Sequence, residues 1–409
     1  MKRKRLAVIG FGGRGQIYGG YAKEFPDQFE FIAAVDNDIL KLEKAKLDYG
    51  VKHLFSDYND FLKAGLDLDI VAISTQDASH REHAVACLQH GYDLLLEKPI
   101  ATSVEDCLEI LKYSQQFNRK VIVCHVLRYS PFYDKVKEII DSGILGEIMT
   151  INASENIGYY HYSHSYVRGP WRSSAKSSPI ILAKCCHDLD IIRYLINKPC
   201  LSVNSLGDLT YFKKENAPEG SSEYCSDCAL KDSCAFNAQR LYTKYRWMAG
   251  YFLKGNNSDA DIFKDLKYSN YDRCVYKSDN DVADHQVTIM NFEGGITASL
   301  TMSAFSKEIY RDIKIHGTKA ELVGIMEDNF LEIRPYQGEV INIPIDISEA
   351  VYGGHNGGDY FMMNELHKEL NGIKSSRISY LDVSVESHLM AFAAEKSRLD
   401  GGSIQFIKM

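Results

Sequence analysis

The chain has no apolar run long enough to cross a membrane, no surplus of positive charge, no internal repeat and no low-complexity tract. Each absence excludes a class of protein. The opening MKRKRLAVIG has a basic start, but only Leu6–Ile9 follow before a glycine, too few for a signal-peptide core or a membrane span. A cytoplasmic protein is therefore expected. Lys and Arg total 47 against 55 Asp and Glu, a net charge of −8. That balance argues against nucleic acid as the main partner, because binding phosphates needs a basic surface. Without an export signal, the ten cysteines read as reduced thiols and a metal site rather than as disulfides.

What is present is an ordinary globular composition, 45% hydrophobic and 25% charged, over 409 residues. That length suggests two or three domains. Residues 1–126 alternate short apolar strands (LAVIG, FEFIAAVD, DIVAIS, YDLLLEKP, KVIVCH) with amphipathic helices. Continuous apolar strands separated by helices predict a parallel sheet covered on both faces. From residue 127 onward the pattern changes. Alternating strands such as HQVTIMNF and ITASLTMSAF, joined by short turns, predict an open, mainly antiparallel sheet in a second α/β domain spanning 127–409. Residues 213–280 are polar and irregular and read as an insertion without enough apolar residues for its own core. The segment 379–399 predicts a long helix closing the chain.

GFGGRG places Gly10, Gly12 and Gly15 at G-x-G-x-x-G spacing, between a strand and a helix. In that context the glycines allow a tight turn and close approach of a pyrophosphate to a helix N-terminus. Gly13 and Arg14 complete the loop. Asp36 ends the second strand, where a carboxylate binds ribose hydroxyls and repels a 2′-phosphate. No arginine follows it, so NAD is expected over NADP.

The glycine turn, VDND, ISTQDASH (73–80) and above all EKPIA (97–101) resemble the Gfo/Idh/MocA oxidoreductases. The resemblance implies an N-terminal Rossmann doubly wound parallel sheet and a C-terminal α/β domain with an open sheet. It implies that Lys98 lies beside the nicotinamide and substrate, with a cis bond to Pro99. It also implies that Ser74, Thr75 and His80 line the cofactor and that Glu97 reaches its ribose. LAKCCHDLD (182–190) matches the segment in which the family carries a histidine base, here His187. The family's aspartate four residues earlier is replaced by Ala183, with Lys184 next to it.

On a continuous helix, Lys184 and His187 project within roughly 60° of each other, whereas Cys185 points about 200° away from His187. A metal site made from these cysteines and the histidine is thus disfavoured. Cys185 and Cys186 read as core residues, and Lys184 and His187 as sharing a pocket. His187 would take the proton of a secondary hydroxyl, and Lys98 and Lys184 would stabilise the oxygen anion. Arg128 and Tyr129 in HVLRYSPFY, His161 in the aromatic loop YYHYSHSYVRGPWR, and His355 in GGHNGGD are candidates to touch substrate. His285 and Asp359 are weaker ones.

Cys225, Cys228 and Cys234 stand at C-x2-C-x5-C spacing, and Cys274 lies at the end of the same insertion. Four thiols bounding one polar insertion suggest a closed structural zinc site. An iron–sulfur site and unbound thiols are the alternatives. The function expected is NAD-dependent oxidation of a secondary hydroxyl of a sugar, sugar derivative or cyclitol. A glycoside hydrolase that oxidises its substrate transiently and a non-catalytic NAD-binding regulator are the alternatives. The resemblance further implies a homodimer or homotetramer.

Overall fold

In the computed structural model, which describes residues 1–254 and 256–408, the five apolar runs of the first third become strands and His53–Phe55 adds a sixth. These are β1 (Lys4–Ile9), β2 (Phe29–Val35), β3 (His53–Phe55), β4 (Ile70–Ile73), β5 (Leu94–Leu96) and β6 (Val121–Val123), all parallel, in the order 3-2-1-4-5-6. This is the doubly wound arrangement of dinucleotide-binding sheets, in which the crevice opens where the order reverses, between β1 and β4. Short polar side chains start the intervening helices. Asp38 caps Ile39–Tyr49 by accepting from Leu40 N at 3.0 Å, and Ser103 caps Val104–Gln116 as expected from the sequence.

The second sheet has nine strands: β7 (Ile148–Asn156), β8 (Cys200–Asp208), β9 (His285–Phe292), β10 (Thr297–Ser303), β11 (Tyr310–Gly317), β12 (Ala320–Ile325), β13 (Phe330–Pro335), β14 (Ile341–Pro344) and β15 (Gln405–Phe406). Only the β7–β10 pair is parallel. In β9 exposed and buried residues alternate strictly, as in a strand with one wet face. The buried face packs on the helices Cys186–Ile196 and Leu381–Leu399. The open face carries Leu206, Val287, Ile289 and Met149, all exposed.

The end of the chain packs back on the first sheet. Met362, Met363 and Leu366 on the helix Gly358–Leu370 pack under the Rossmann sheet, Leu381, Val385 and Leu389 pack on its other side, and Tyr380 bridges to Ile122 at its edge. One expectation is overturned, because the insertion does not lack a core. Its helices Ala238–Lys244 and Asp259–Leu266, with Met248 between them, bury Leu241, Tyr242, Ile262 and Leu266 against Tyr160. The apolar residues are few, but helical spacing brings them to one side.

Candidate active site

The glycine turn closes the C-terminal end of β1. Gly10 adopts φ +87°, and a Cβ there would lie 2.6 Å from the Ser74 carbonyl oxygen, so only glycine fits. A Cβ at Gly15 would lie 2.2 Å from Gly10 O. Gly12 and Gly13, by contrast, face open space. Gly12 borders a cleft of about 360 Å³ lined by Asp36, Asn37, Lys41, Tyr58, Ser74 and Thr75 among others. The Asp36 carboxylate is aimed by two backbone donors, Phe11 N at 2.7 Å and Asp38 N at 3.0 Å, with Lys41 Nζ 3.3 Å away. Open backbone at the helix start and a fixed carboxylate at the end of β2 suit the pyrophosphate and ribose of NAD.

Three residues expected at the cofactor also have protein partners. His80 is buried and bridges Pro99 O (2.7 Å) and Thr75 O (3.2 Å). The histidine that lines the cleft is His83, one turn further on, with Nδ1 3.1 Å from Thr75 Oγ1. Arg14 and Glu97 are paired at 2.5 Å, and Arg14 also reaches Asp359 at 2.8 Å. Burial opposes ionisation of Glu97, but Arg14, Tyr18 and Lys98 outweigh it and its pKa lies below the usual value. This buried knot ties the glycine turn to the helix Gly358–Leu370.

The Lys98–Pro99 bond is cis. The helix expected through LAKCCHDLD is broken. The turn Ile180–Ala183 and the helix Cys186–Ile196 are separate, with Lys184 N and Cys185 N both directed at Ile180 O. Helical phase does not carry across that break, so the projection argument linking Lys184 to His187 does not hold. The break frees the Ala183 carbonyl, and Lys98 Nζ donates to it at 2.8 Å. Lys184 turns to Glu155 on β7, 3.2 Å away. Glu155 also pairs with Arg311, which reaches Asp188 at 2.7 Å. Two acids and two cations thus balance in a buried cluster. Cys185 and Cys186 are fully buried in the core.

His187 is buried, with its ring 5.9 Å from that of His125 and 6.0 Å from that of His355. Its Nδ1 has no protein partner. Burial first, then the charge of Lys98 and the neighbouring His125 and His355, hold its pKa well below the usual value. It is therefore neutral near pH 7 and free to accept a proton. His355 stands at φ +54° and is held by Asp359, Nδ1 to Oδ2 3.2 Å.

Other substrate candidates fare differently. Arg128 makes a two-pronged pair with Asp190 (2.5 and 2.6 Å), and Tyr129 OH lies 3.1 Å from Ser379 Oγ. Both are buried. They brace the helix Cys186–Ile196 and the end of the chain, and neither is free to meet a ligand. His285 pairs with Asp284 at 2.8 Å at the start of β9. The aromatic loop is helical, a turn at Tyr159–Tyr162 followed by a wide turn at Ser163–Arg168, and half-buried His161 keeps a buried Nδ1 without a partner. Sequence reasoning passed over His83, His125, Glu155 and Arg311. His125 offered a signal, a histidine directly after a buried strand.

The four insertion cysteines line one cavity of about 30 Å³ with Arg168, Phe236 and Tyr276. Cys274 N donates to Glu223 O at 2.9 Å, which brings it beside Cys225. Among the described residues no three histidine, cysteine or acidic side chains are gathered closely enough to hold a metal ion.

Two family models match, the NAD-binding Rossmann fold of the Gfo/Idh/MocA oxidoreductases at residues 4–125 and the C-terminal α/β domain of that family at 137–344. The chain belongs to the Gfo/Idh/MocA oxidoreductase family. The chain is 27% identical over 320 residues to the oxidoreductase YteT of Bacillus subtilis strain 168, covering 73% of this chain and 72% of that one. It is 28% identical over 217 residues to an inositol 2-dehydrogenase of Rhodococcus jostii RHA1, covering 53% of this chain and 55% of that protein. Its fold matches a levoglucosan dehydrogenase solved with NADH and levoglucosan, with TM-score 0.74, 16% identity and full coverage of both chains. The enzyme is an oxidoreductase of this family, with a mixed, mostly antiparallel C-terminal sheet. Among the described residues no helix is long and apolar enough to cross a membrane.

Proposed function

We propose that this oxidoreductase transfers a hydride between NAD and a secondary hydroxyl of a sugar, sugar derivative or cyclitol. The observation that carries the reading is His187, neutral and unpartnered at Nδ1, ring to ring with His355 and beside Lys98, with Pro99 tied through His80 to Thr75 in the wall of the cleft that suits NAD. NAD, when bound, supplies the hydride acceptor. Asp36 would bind the ribose hydroxyls, and the open backbone at Gly12 and Gly13 would take the pyrophosphate. His187 would accept the hydroxyl proton. Lys98, positioned by Ala183 O, would stabilise the charge that develops on the oxygen. The inositol and levoglucosan dehydrogenases among the relatives support a polyhydroxylated ring as substrate.

The test is a paired assay on purified protein with NAD, following NADH absorbance and aglycone release together across sugars, cyclitols and chromogenic glycosides. NADH formed with one class establishes the dehydrogenase. Aglycone release with NAD required but not consumed replaces this reading with transient oxidation and elimination.

Three finer points belong to the same proposal. A homodimer or homotetramer would cover the exposed Leu206, Val287, Ile289 and Met149 of the open sheet. A cytoplasmic setting fits ten free cysteines. A structural zinc would be held by Cys225, Cys228, Cys234 and Cys274. Their shared cavity supports this. Anaerobically purified protein is expected to carry about one zinc per chain, and Cys228→Ser to lose it. Metal-free wild-type protein would remove the zinc reading.

A further inference from the structure

Oxidation of a secondary hydroxyl by NAD yields a carbonyl, NADH and one proton. The electron pair of the C–H bond leaves with the hydride, and the hydroxyl proton passes to a base. With His187 as that base, the proton has to leave it before the next turnover. His187 is only 4% exposed and its Nδ1 is buried. The proton therefore needs a route to solvent.

Two histidine rings flank His187. On one side stands His125, at 5.9 Å, with His388 a further 5.5 Å on, and both are fully buried. His388 is committed: its Nε2 accepts from Ile100 N at 2.9 Å, so Nδ1 carries the hydrogen and donates to Ser384 O at 3.0 Å. Burial, Arg128 and Lys98 resist a charge on His125, and the nearby Asp190 is already held by Arg128. Protonation in that direction leads no further. On the other side stands His355, at 6.0 Å, with 37% of its side chain in solvent. That separation suits transfer through one water.

His355 is placed by a constrained segment. Gly353, His355, Asn356 and Gly357 have φ +79°, +54°, +48° and +86°. Two successive non-glycine residues in the left-handed region are costly, and such backbone collects at functional sites. Asp359, 1% exposed, holds the segment by accepting from Gly354 N at 2.9 Å and from His355 Nδ1 at 3.2 Å, both at Oδ2. Arg14 lies 2.8 Å from Oδ1. Burial opposes ionisation of Asp359, but Arg14 and then His355 outweigh it. An ionised acceptor makes His355 Nδ1 the donor. It leaves Nε2, which has no protein partner among the described residues, to take a proton, and it stabilises the imidazolium that results.

We propose that His355 carries the proton between His187 and solvent, with Asp359 and Arg14 as its positioning residues. In oxidation the hydroxyl proton passes to His187, then to His355 Nε2, then to water; in reduction the order reverses. No electrons are exchanged in these transfers: each breaks one bond to hydrogen and forms another. The low pKa of His187 favours giving the proton up. Because Arg14 belongs to the glycine turn, the same ion pair ties the route to the cofactor loop. The inference rests on the proposed function above.

The experiment uses the NAD-saturated enzyme with a substrate from the paired assay, in dilute buffer at fixed pH. NADH absorbance and a pH-indicator dye are followed together by stopped flow, in wild type, His355→Asn and His355→Gly. Both replacements tolerate a positive φ, and glycine leaves room for a small base. In wild type the proton is expected to appear together with NADH. In both variants its release should slow about tenfold or more and kcat should fall with it, while KM and NAD affinity, read by protein fluorescence, stay the same. Added imidazole should restore His355→Gly, and sodium chloride at equal concentration should not. Proton release as fast in both variants as in wild type overturns the route, and so does a loss that imidazole does not recover. A rise in KM in place of slower proton release makes His355 a substrate-binding residue instead. No NADH from any substrate with wild-type enzyme removes the dehydrogenase reading, and the proton route with it.

Discussion

His187 is the residue on which the chemistry turns. Two histidines and a lysine surround it, and each disfavours its protonation. A base of this kind is available at neutral pH but is intrinsically weak. It needs a hydroxyl already polarised, which is the task left to Lys98. His187→Asn keeps a polar side chain but removes the base. Its kcat is expected to fall about 10²–10⁴-fold, while NAD affinity, read by protein fluorescence, is retained. Near-normal turnover would take the base role away from His187. Lys184 needs a different account from the one its sequence position suggests. It neutralises Glu155, and its effect on a substrate is exerted from within a balanced cluster.

Four elements meet at that cluster: β7 through Glu155, β11 through Arg311, the helix Cys186–Ile196 through Asp188, and the break through Lys184. Glu155 has no exposed surface. Glu155→Gln leaves Lys184 and Arg311 facing Asp188 alone, and removing one partner of a buried ion pair costs about 3–5 kcal/mol. Denaturant unfolding is expected to show a loss of that size. A variant as stable as wild type would mean that the cluster is already solvated. Because the same cluster flanks the break that frees Ala183 O for Lys98, its loss should also lower kcat. The break thus links an element boundary to the placing of a catalytic side chain.

At the scale of the whole molecule, the number of buried neutral histidines sets the response to acid. Burial first, aided by Lys98 and Arg128 at His125, by Lys184 at His161 and by Arg168 at His164, lowers the pKa of each; His388 is held at about 3 by burial and His125. His187 behaves in the same way. All lie below the free value of 6.5. As pH falls, the unfolded chain therefore takes up protons before the folded one does. The contribution of these groups is fully present above about pH 6.5 and is lost progressively below it, by at most about 1.4 kcal/mol per pH unit for each group. Thermal midpoints are expected to be level between pH 7 and 8 and to drop between pH 6.5 and 5. A flat profile down to pH 5 would contradict neutral burial.

What could be read along the chain was whatever depends on neighbours in sequence. Five of the six strands of the parallel sheet followed from apolar runs alternating with capped helices. The need for glycine at Gly10 and Gly15 followed from a strand-turn-helix context, and the acid at Asp36 from its place at a strand end. The antiparallel strands β9 to β13 followed from strict alternation. Short strands such as β3 and β15, and the more exposed β14, were missed because each is defined by its partner rather than by its own pattern. The site divides in the same way. His187 and Lys98 were legible from their motifs. The turn of Lys184 toward Glu155, the burial of Arg128 against Asp190 and the presence of His83 at the cleft were not. Each depends on contacts between residues brought together by packing, where the cost of burying a charge or an unpaired polar group selects the partner. Sequence by itself determined the fold class and the cofactor turn, because periodicity and backbone sterics act locally. Only the tertiary structure decided which charged side chains face the ligand and which hold the protein together, because that choice is made by desolvation.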